Sequence, residues 1–513
     1  MTDPNKAQPI KKVLIVGGGT AGWLTAGVIA AHHRSSEGEG LHVTLVESSD
    51  VPTIGVGEGT WPTLKNTVQQ IGISEAELFS RCHAGFKQGG KFVNWVHGNG
   101  DSYYHPFTVP LGYGRIDLAP YIDDIAHYAA ESNFQASVCE AGLAPRTLAE
   151  NEFQGQCNYA YHIDAGAFGE LLKEFCRDKL GVTHVVDTVE GVNMAEDGSI
   201  ASVTLAERGA LAADLFVDCT GFASLLLGKA LDVPFKDTND VLFNDAALAL
   251  QVPYESDDSP VTCHTVATAQ NAGWIWDIGL THRRGVGHVY ATDYLSDDEA
   301  ERNLRAYLGP AADGLEPRKI RFRSGHRTQF WKKNCVAVGM AAGFVEPLEA
   351  TAIMLVELAA RYVAESMPPT REVMPITAKR FNQQMDYRWQ RIIDFLKLHY
   401  CLSQRPEPYW AAHRDSAGIP DSLTEDLAMW RCRGPVRSDF DSAIELFPAA
   451  SYQYVIYGMG FKPEFESQAY LYGQQQQAQS IIQRNQQLTQ QMLRTLPPHR
   501  EYIQRWLAAS NRA

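Results

Sequence analysis

Residues 12–23 read KVLIVGGGTAGW, and this stretch decides the fold. Val13, Leu14, Ile15 and Val16 form a short apolar run rich in β-branched side chains, the composition of a strand buried on both faces. Gly17, Gly19 and Gly22 follow as G-x-G-x-x-G, and residues 24–31 continue with helical composition. Strand, glycine turn and helix make the opening unit of a dinucleotide-binding fold. The first glycine permits the tight turn, the second lets a pyrophosphate approach the backbone, and the third lets helix and strand pack closely. The helix N-terminus adds free N–H groups and a positive dipole end. Residues 41–48, LHVTLVES, supply a second strand ending in Glu47, 25 residues after Gly22, close to the spacing of a carboxylate that grips a ribose 2′-hydroxyl. Lys6, Lys11 and Lys12 ahead of the uncharged residues 13–30 imitate a signal peptide. Three consecutive glycines interrupt that apolar run, however, and Glu47 has no part in such a reading.

A chain of 513 residues with 45% apolar and 20% charged content is that of a soluble globular protein of one or two lobes. Its net charge of −15 argues against nucleic acid and anionic membrane as partners. No other apolar stretch approaches membrane-spanning length. Nine cysteines without C-x-x-C or a metal-like cluster point to reduced thiols, no bound metal and a cytoplasmic setting.

Beyond Glu47, residues 51–64 (VPTIGVGEGTWPTL) hold Gly55, Gly57 and Gly59 in a loop able to lie against a flat ligand, followed by a helix over 63–73. Residues 74–82 read as helix, 84–98 as a glycine-punctuated segment entering a strand, and the region near 119–132 as helix. Read alone, Lys87 and Lys91 are solvated surface charges. Residues 161–181 read as an amphipathic helix leading into a strand over 183–192. Residues 213–224 repeat the strand-then-glycine design, and 243–253, 262–268 and 286–293 alternate as strands, with GWIWDIGL at 273–280 among them. Residues 332–365 give a strand, a glycine turn and a long apolar helix. From 370 onward the pattern is mostly helical, including the Gln-rich 468–496.

At GGGTAGW, IGVGEGTWPTL, FKQGGKFVNW, GWIWDIGL and FVEPLEATAI the chain resembles the flavin-dependent halogenases of the tryptophan halogenase family. The resemblance implies an α/β fold: a FAD-binding Rossmann-like core, an added β-sheet substrate region and a C-terminal helical lobe. The expected division places the core in 1–100, 156–232 and 321–367, a substrate-side insertion in 101–155, the β-sheet region in 233–320 and the helical lobe in 368–513. The family's W-x-W-x-I-P motif, which walls the flavin off from organic substrates, matches Trp274, Trp276 and Ile278, with Gly279 in place of the proline. Its essential lysine maps to Lys87 and its catalytic glutamate to Glu349. The halide is then held by the backbone N–H groups of Thr351 and Ala352. Similarity to flavin contacts marks Gly17, Gly19, Thr20, Ala21, Gly22, Glu47, Ser48, Val51, Ile54, Val56, Gly59, Val189, Met340 and Ile353. His105 and Phe107 match positions lining the family's ring pocket.

The implied chemistry uses FAD as FADH2 from a separate flavin reductase, oxygen, and chloride or bromide. Hypohalous acid passes to Lys87, as a hydrogen-bonded acid or a haloamine, and Glu349 assists attack by an aromatic ring. Only one dinucleotide motif is visible, which fits a flavin reduced elsewhere. Family members acting on free tryptophan grip its amino acid end with a Tyr-Tyr pair, a glutamate and a Phe-Trp pair. Here Glu445 is kept, but small residues stand around Ala449 and Ala450 and no Tyr-Tyr pair precedes Glu445. Indole or a simple indole derivative is therefore the expected substrate, with free tryptophan the alternative. An aromatic monooxygenase and a protein that only binds flavin are the rival readings, and a homodimer is left open.

Overall fold

The structure is a computed structural model describing residues 8–38, 40–49, 57–441, 443–465, 470 and 472–510. Its organising layer is a six-stranded sheet in the order Trp331–Lys332, Cys335–Ala337, Leu215–Asp218, Lys12–Val16, His42–Glu47, Thr183–Val186. All neighbours run parallel except the edge pair Trp331–Lys332 and Cys335–Ala337. Val13 to Val16 are buried, as an interior parallel strand requires. The helix Thr20–His32 packs against the helices Ala165–Lys179 and Thr351–Glu365.

A seven-stranded sheet forms the second layer, in the order Arg318–Arg321, Ala246–Pro253, Arg283–Tyr290, Trp274–Gly279, Thr265–Ala269, Gly89–Val93, Ser102–Pro106. A small sheet, Gly57–Gly59, Ala160–Asp164 and Gly85–Lys87, packs against the strands Trp274–Gly279 and Arg283–Tyr290 and carries Lys87. The chain ends in helices, the longest being Met374–Cys401 and Gln475–Thr495. Among the described residues no helix is long and apolar enough to cross a membrane.

Several sequence expectations change in detail. The helix expected over 161–181 begins only at Ala165. Ala160–Asp164 is a strand pairing with both Gly57–Gly59 and Gly85–Lys87, and Asp164 caps the helix by accepting from Ala167 N at 3.1 Å. The single strand expected over 183–192 is two, Thr183–Val186 and Val189–Met194, because Asp187 leaves the parallel sheet and its buried side chain accepts from Thr188 N. The helix near 119–132 is broken into Ala119–Tyr121, Ile125–His127 and Tyr128–Ser132, with Pro120 and the Asp124 cap interrupting it.

The small sheet is fixed by contacts that no local pattern reveals. Arg146 and Glu75 form a fully buried ion pair at 2.7 Å. Glu75 also accepts from Tyr159 OH at 2.8 Å and Tyr161 OH at 2.7 Å. The guanidinium lies over the rings of Phe86 and Trp506, and its Nε donates to Tyr502 OH at 2.6 Å. Phe86 N donates to His499 Nε2 at 3.0 Å, so the C-terminal helix His499–Ser510 grips the strand next to Lys87.

Candidate active site

The parallel strands end on a common edge, and the turns leaving them carry the residues that similarity marked for flavin. Gly17, Gly19, Thr20 and Ala21 follow Val16; Ser48 follows Glu47; Val189 opens the strand after Thr183–Val186; Met340 follows Ala337. Gathering at the carboxyl ends of parallel strands is where such sheets bind ligands. Gly17 has φ +113°, and a Cβ there would sit 2.2 Å from Cys219 O. A Cβ on Gly22 would meet Gly17 O at 1.9 Å, whereas one on Gly19 would meet nothing within 4 Å. The helix Thr20–His32 has no side-chain cap and no acid in its first turn, so its leading N–H groups stay available to an anion. These features fit a dinucleotide phosphate. Glu47 turns its carboxylate to His184 Nε2 at 2.8 Å and Lys173 Nζ at 3.3 Å. Ser48 Oγ pairs with Thr188 Oγ1 at 2.9 Å. Val51, Ile54 and Val56 lie outside the described residues.

The residues expected to do chemistry converge elsewhere, between the small sheet and the helical lobe. Lys87 is 5% exposed, and its Nζ lies 5.4 Å from the centre of the Phe107 ring. A Cβ on Gly59 would stand 3.0 Å from that Nζ and 3.4 Å from Ala350 Cβ, so glycine at 59 lets the lysine approach the turn bearing Glu349. Burial lowers the Lys87 ammonium to a pKa of about 8, against the opposing charge of Glu349.

The Glu349 side chain is 10% exposed, and its burial alone would raise its pKa. Two histidines outweigh this and hold the carboxyl well below the usual range. His105 Nδ1 lies 3.1 and 3.2 Å from the two carboxylate oxygens, and His399 Nε2 lies 3.1 Å from Oε1. Trp61 Nε1 donates to the Glu349 carbonyl at 2.8 Å. The next residue, Ala350, has φ +56°, a conformation that costs a non-glycine residue energy and recurs at functional turns. It starts the helix Thr351–Glu365 without a side-chain cap; Thr351 and Ile353 are buried and Ala352 is exposed. The leading N–H groups of this helix could hold a halide.

Trp274 and Trp276 share one face of their strand, with ring centroids 6.4 Å apart. Trp274 Nε1 donates to Glu346 at 3.2 Å, which ties this motif to the Glu349 turn. Trp276 lies across Gly287 and lines a cleft of about 350 Å³ with Gly57, Arg283 and Gly285.

Sequence reading missed Trp61, Tyr103, Phe395, His399, Phe447 and Ser451. Phe395 stacks on Phe447 at 3.8 Å, and Trp61 meets Phe447 edge-on at 4.9 Å. His399 looks like any core histidine of a long helix; only the fold sets it beside Glu349. The structure also corrects the reading that the cysteines form no metal-like cluster. Cys139, Cys263 and His264 place three ligand-type atoms within 4.8 Å of one another, from positions too far apart in sequence to be read as a motif.

A family profile described as tryptophan halogenase matches residues 12–472. The chain belongs to the tryptophan halogenase family. It resembles a crystal structure of tryptophan halogenase from Shewanella frigidimarina, with 46% identity, 98% of each chain covered and a TM-score of 0.92. Similarity to the 7-chloro-L-tryptophan 6-halogenase of a Kutzneria species is 36% identity over 521 residues, covering 96% of this chain and 99% of that enzyme. A flavin-dependent halogenase from a Brevundimonas species is 32% identical, with a TM-score of 0.86 and coverage of 96% and 99%. The protein is therefore an enzyme, a flavin-dependent halogenase with a Rossmann-like core.

Proposed function

We propose that this halogenase binds FAD at the carboxyl edge of the parallel sheet and halogenates the indole ring of tryptophan held beside Lys87 and Glu349. The observation that carries the reading is the convergence of Lys87, Phe107, His105 and Glu349 on one mostly buried place beside Gly59. Gly17, Gly19, Gly22 and the free N–H groups of Thr20 and Ala21 would hold the pyrophosphate, with Ser48, Gly59, Val189, Met340 and Ile353 around the rest of the cofactor. Glu47 would reach the ribose by sharing its carboxylate with His184 and Lys173. Thr351 and Ala352 N–H groups would bind chloride or bromide. Reduced FAD, delivered by a separate reductase, supplies hypohalous acid from oxygen and the halide.

Burial lowers the Lys87 pKa to about 8, which leaves the side chain mostly ammonium at pH 7, the form that donates a hydrogen bond to hypohalous acid. His105 and Phe107 wall the ring pocket. Glu349 stays ionised, stabilises the positive charge that develops on the ring, and takes its proton. Trp274 and Trp276 close the flavin side against organic substrates.

The tryptophan substrate rests on the relatives whose names state one, and it displaces the sequence expectation of a simple indole. A second reading, an indole lacking the amino acid end, is favoured by one observation. Glu445 spends both oxygens within the chain, accepting from Tyr387 OH at 2.8 Å and from Leu446 N and Phe447 N at 2.9 and 3.1 Å, with Arg391 Nε 3.6 Å away. Such a carboxylate is not free to grip an ammonium, and a zwitterion left without partners is costly to bury.

The test is a competition between tryptophan and indole with FAD, a reductase, NADH and bromide, products counted by mass. Preferential bromination of tryptophan supports the main reading, and preference for indole supports the second. Hydroxylated product, or none that depends on halide, overturns both.

A further inference from the structure

We infer that Tyr103, acting through His399, is a positioning residue that fixes the imidazole tautomer facing Glu349 and so keeps that carboxylate an ionised base. The inference rests on the proposed role of Glu349. Tyr103 and His105 alternate along the strand Ser102–Pro106 and so share one face. His105 reaches Glu349 directly, and Tyr103 reaches it through a second ring: its OH lies 2.6 Å from His399 Nδ1, and His399 Nε2 lies 3.1 Å from Glu349 Oε1. The second contact is close in distance but bent away from the ideal N–H···O line. Catalytic contacts often tighten only when substrate fills the site.

The donor directions follow from the partners. Among the described residues the Tyr103 hydroxyl has one hydrogen-bond partner, so it donates to Nδ1. Burial keeps His399 neutral by lowering its pKa, with the nearby Glu349 charge opposing. A neutral imidazole that accepts at Nδ1 carries its proton on Nε2, and that N–H faces the carboxylate. His105 points its Nδ1 at Glu349 in the same way, with Ser451 Oγ 2.9 Å from its Nε2. Two imidazoles thus each aim a donor at one carboxylate, an arrangement that favours its ionised form. Without the phenol, His399 is free to place its proton on Nδ1 and turn a lone pair toward Glu349, which favours the protonated acid.

Packing marks the phenol as held in place. The Tyr103 ring stacks on Phe92 at 4.8 Å and 7°, and His399 stacks on the same phenylalanine at 4.7 Å. On its other side Tyr103 lies against Gly458, where a Cβ would come within 2.6 Å of the ring. Position 458 must be glycine for the ring to sit there. The titratable and charged groups around Glu349 are Lys87, Tyr103, His105 and His399.

Tyr103→Phe keeps the stacked ring and removes one hydroxyl. In the full-length, flavin-loaded enzyme we expect kcat for bromination to fall about tenfold with KM within twofold, as loss of one hydrogen bond to a polar network produces. The acid limb of the pH profile should move to higher pH, while hypohalous acid trapped by an added β-diketone stays at the parent level. In the Glu349→Gln background, Tyr103→Phe should add no further loss. His399→Gln, which can still offer an N–H to Glu349, should retain more activity than His399→Leu. Parent kcat and an unmoved acid limb in Tyr103→Phe, or additive losses in the double variant, would overturn the inference. If Glu349→Gln alone brominates at the parent rate, the assignment of Glu349 fails instead, and the two failures are thereby distinguished.

Discussion

Arg146→Met puts the buried anchor beneath the lysine strand to the test. Arg146 and Glu75 are both fully buried, so removing the cation strands a carboxylate inside the protein. Breaking such a pair typically costs about 3–5 kcal/mol. Glu75 keeps three donors, Tyr159 OH, Tyr161 OH and Phe153 N, which favours about 3 kcal/mol for the stranded charge. The guanidinium also stacks 4.5 Å from the centre of the Trp506 ring, and losing that cation–π contact adds about 1 kcal/mol. A total near 4 kcal/mol follows, roughly half the stability of an ordinary domain. Guanidinium unfolding followed by tyrosine and tryptophan fluorescence reads the loss as a lowered midpoint. Hydrogen exchange should quicken at the strand Gly85–Lys87 and the helix His499–Ser510. Glu75→Gln added to Arg146→Met removes the stranded charge and should restore about 2 kcal/mol. An unchanged midpoint in Arg146→Met, or no recovery in the double variant, refutes the reasoning.

Gly19→Val should fold normally, because a Cβ there meets nothing within 4 Å, yet fail to bind FAD in a fluorescence titration; Gly22→Val should fail to fold. Glu357 is buried beside Thr67 and Thr63, and burial raises its pKa to about 7 from about 4.5. The folded state thus holds an extra proton between those values, so this group favours folding below pH 4.5 and opposes it increasingly as pH rises through 7. Glu357→Gln should therefore gain about 1–3 kcal/mol by thermal melting at pH 8 and nothing at pH 4. For Lys87, with its pKa lowered to about 8 by burial, the ammonium role requires kcat/KM to fall as pH rises through 8; a rise there would indicate that the neutral amine acts.

The glycine turn, the strand before it, the helix after it and the helix at Thr351–Glu365 were legible because short-range patterns encode them. Residues 161–181 misled because Tyr161 and Ile163 sit at spacings that extend the apolar stripe of the following helix, while strand pairing with residues far away decides their form. In the site, Lys87, Glu349, His105 and Phe107 were reached through motif resemblance. His399 and Ser451 were not, since each becomes a partner of Glu349 or His105 only when the helices Met374–Cys401 and Ala449–Gly458 close over the strand Ser102–Pro106. Lys87 read alone was a surface charge, yet it ends the wholly buried strand Gly85–Lys87. Glu75 and Arg146 are 71 residues apart, and nothing local announces their pairing.

The most direct measurement compares the parent with Lys87→Ala and Glu349→Gln in one assay that counts brominated ring product and trapped hypohalous acid separately. Lys87→Ala should lose brominated product while trapped hypohalous acid persists, because the flavin site is untouched. Glu349→Gln should slow product formation by about 10²-fold or more with trapping again intact. Parent-level bromination in both variants would contradict the placement of the site.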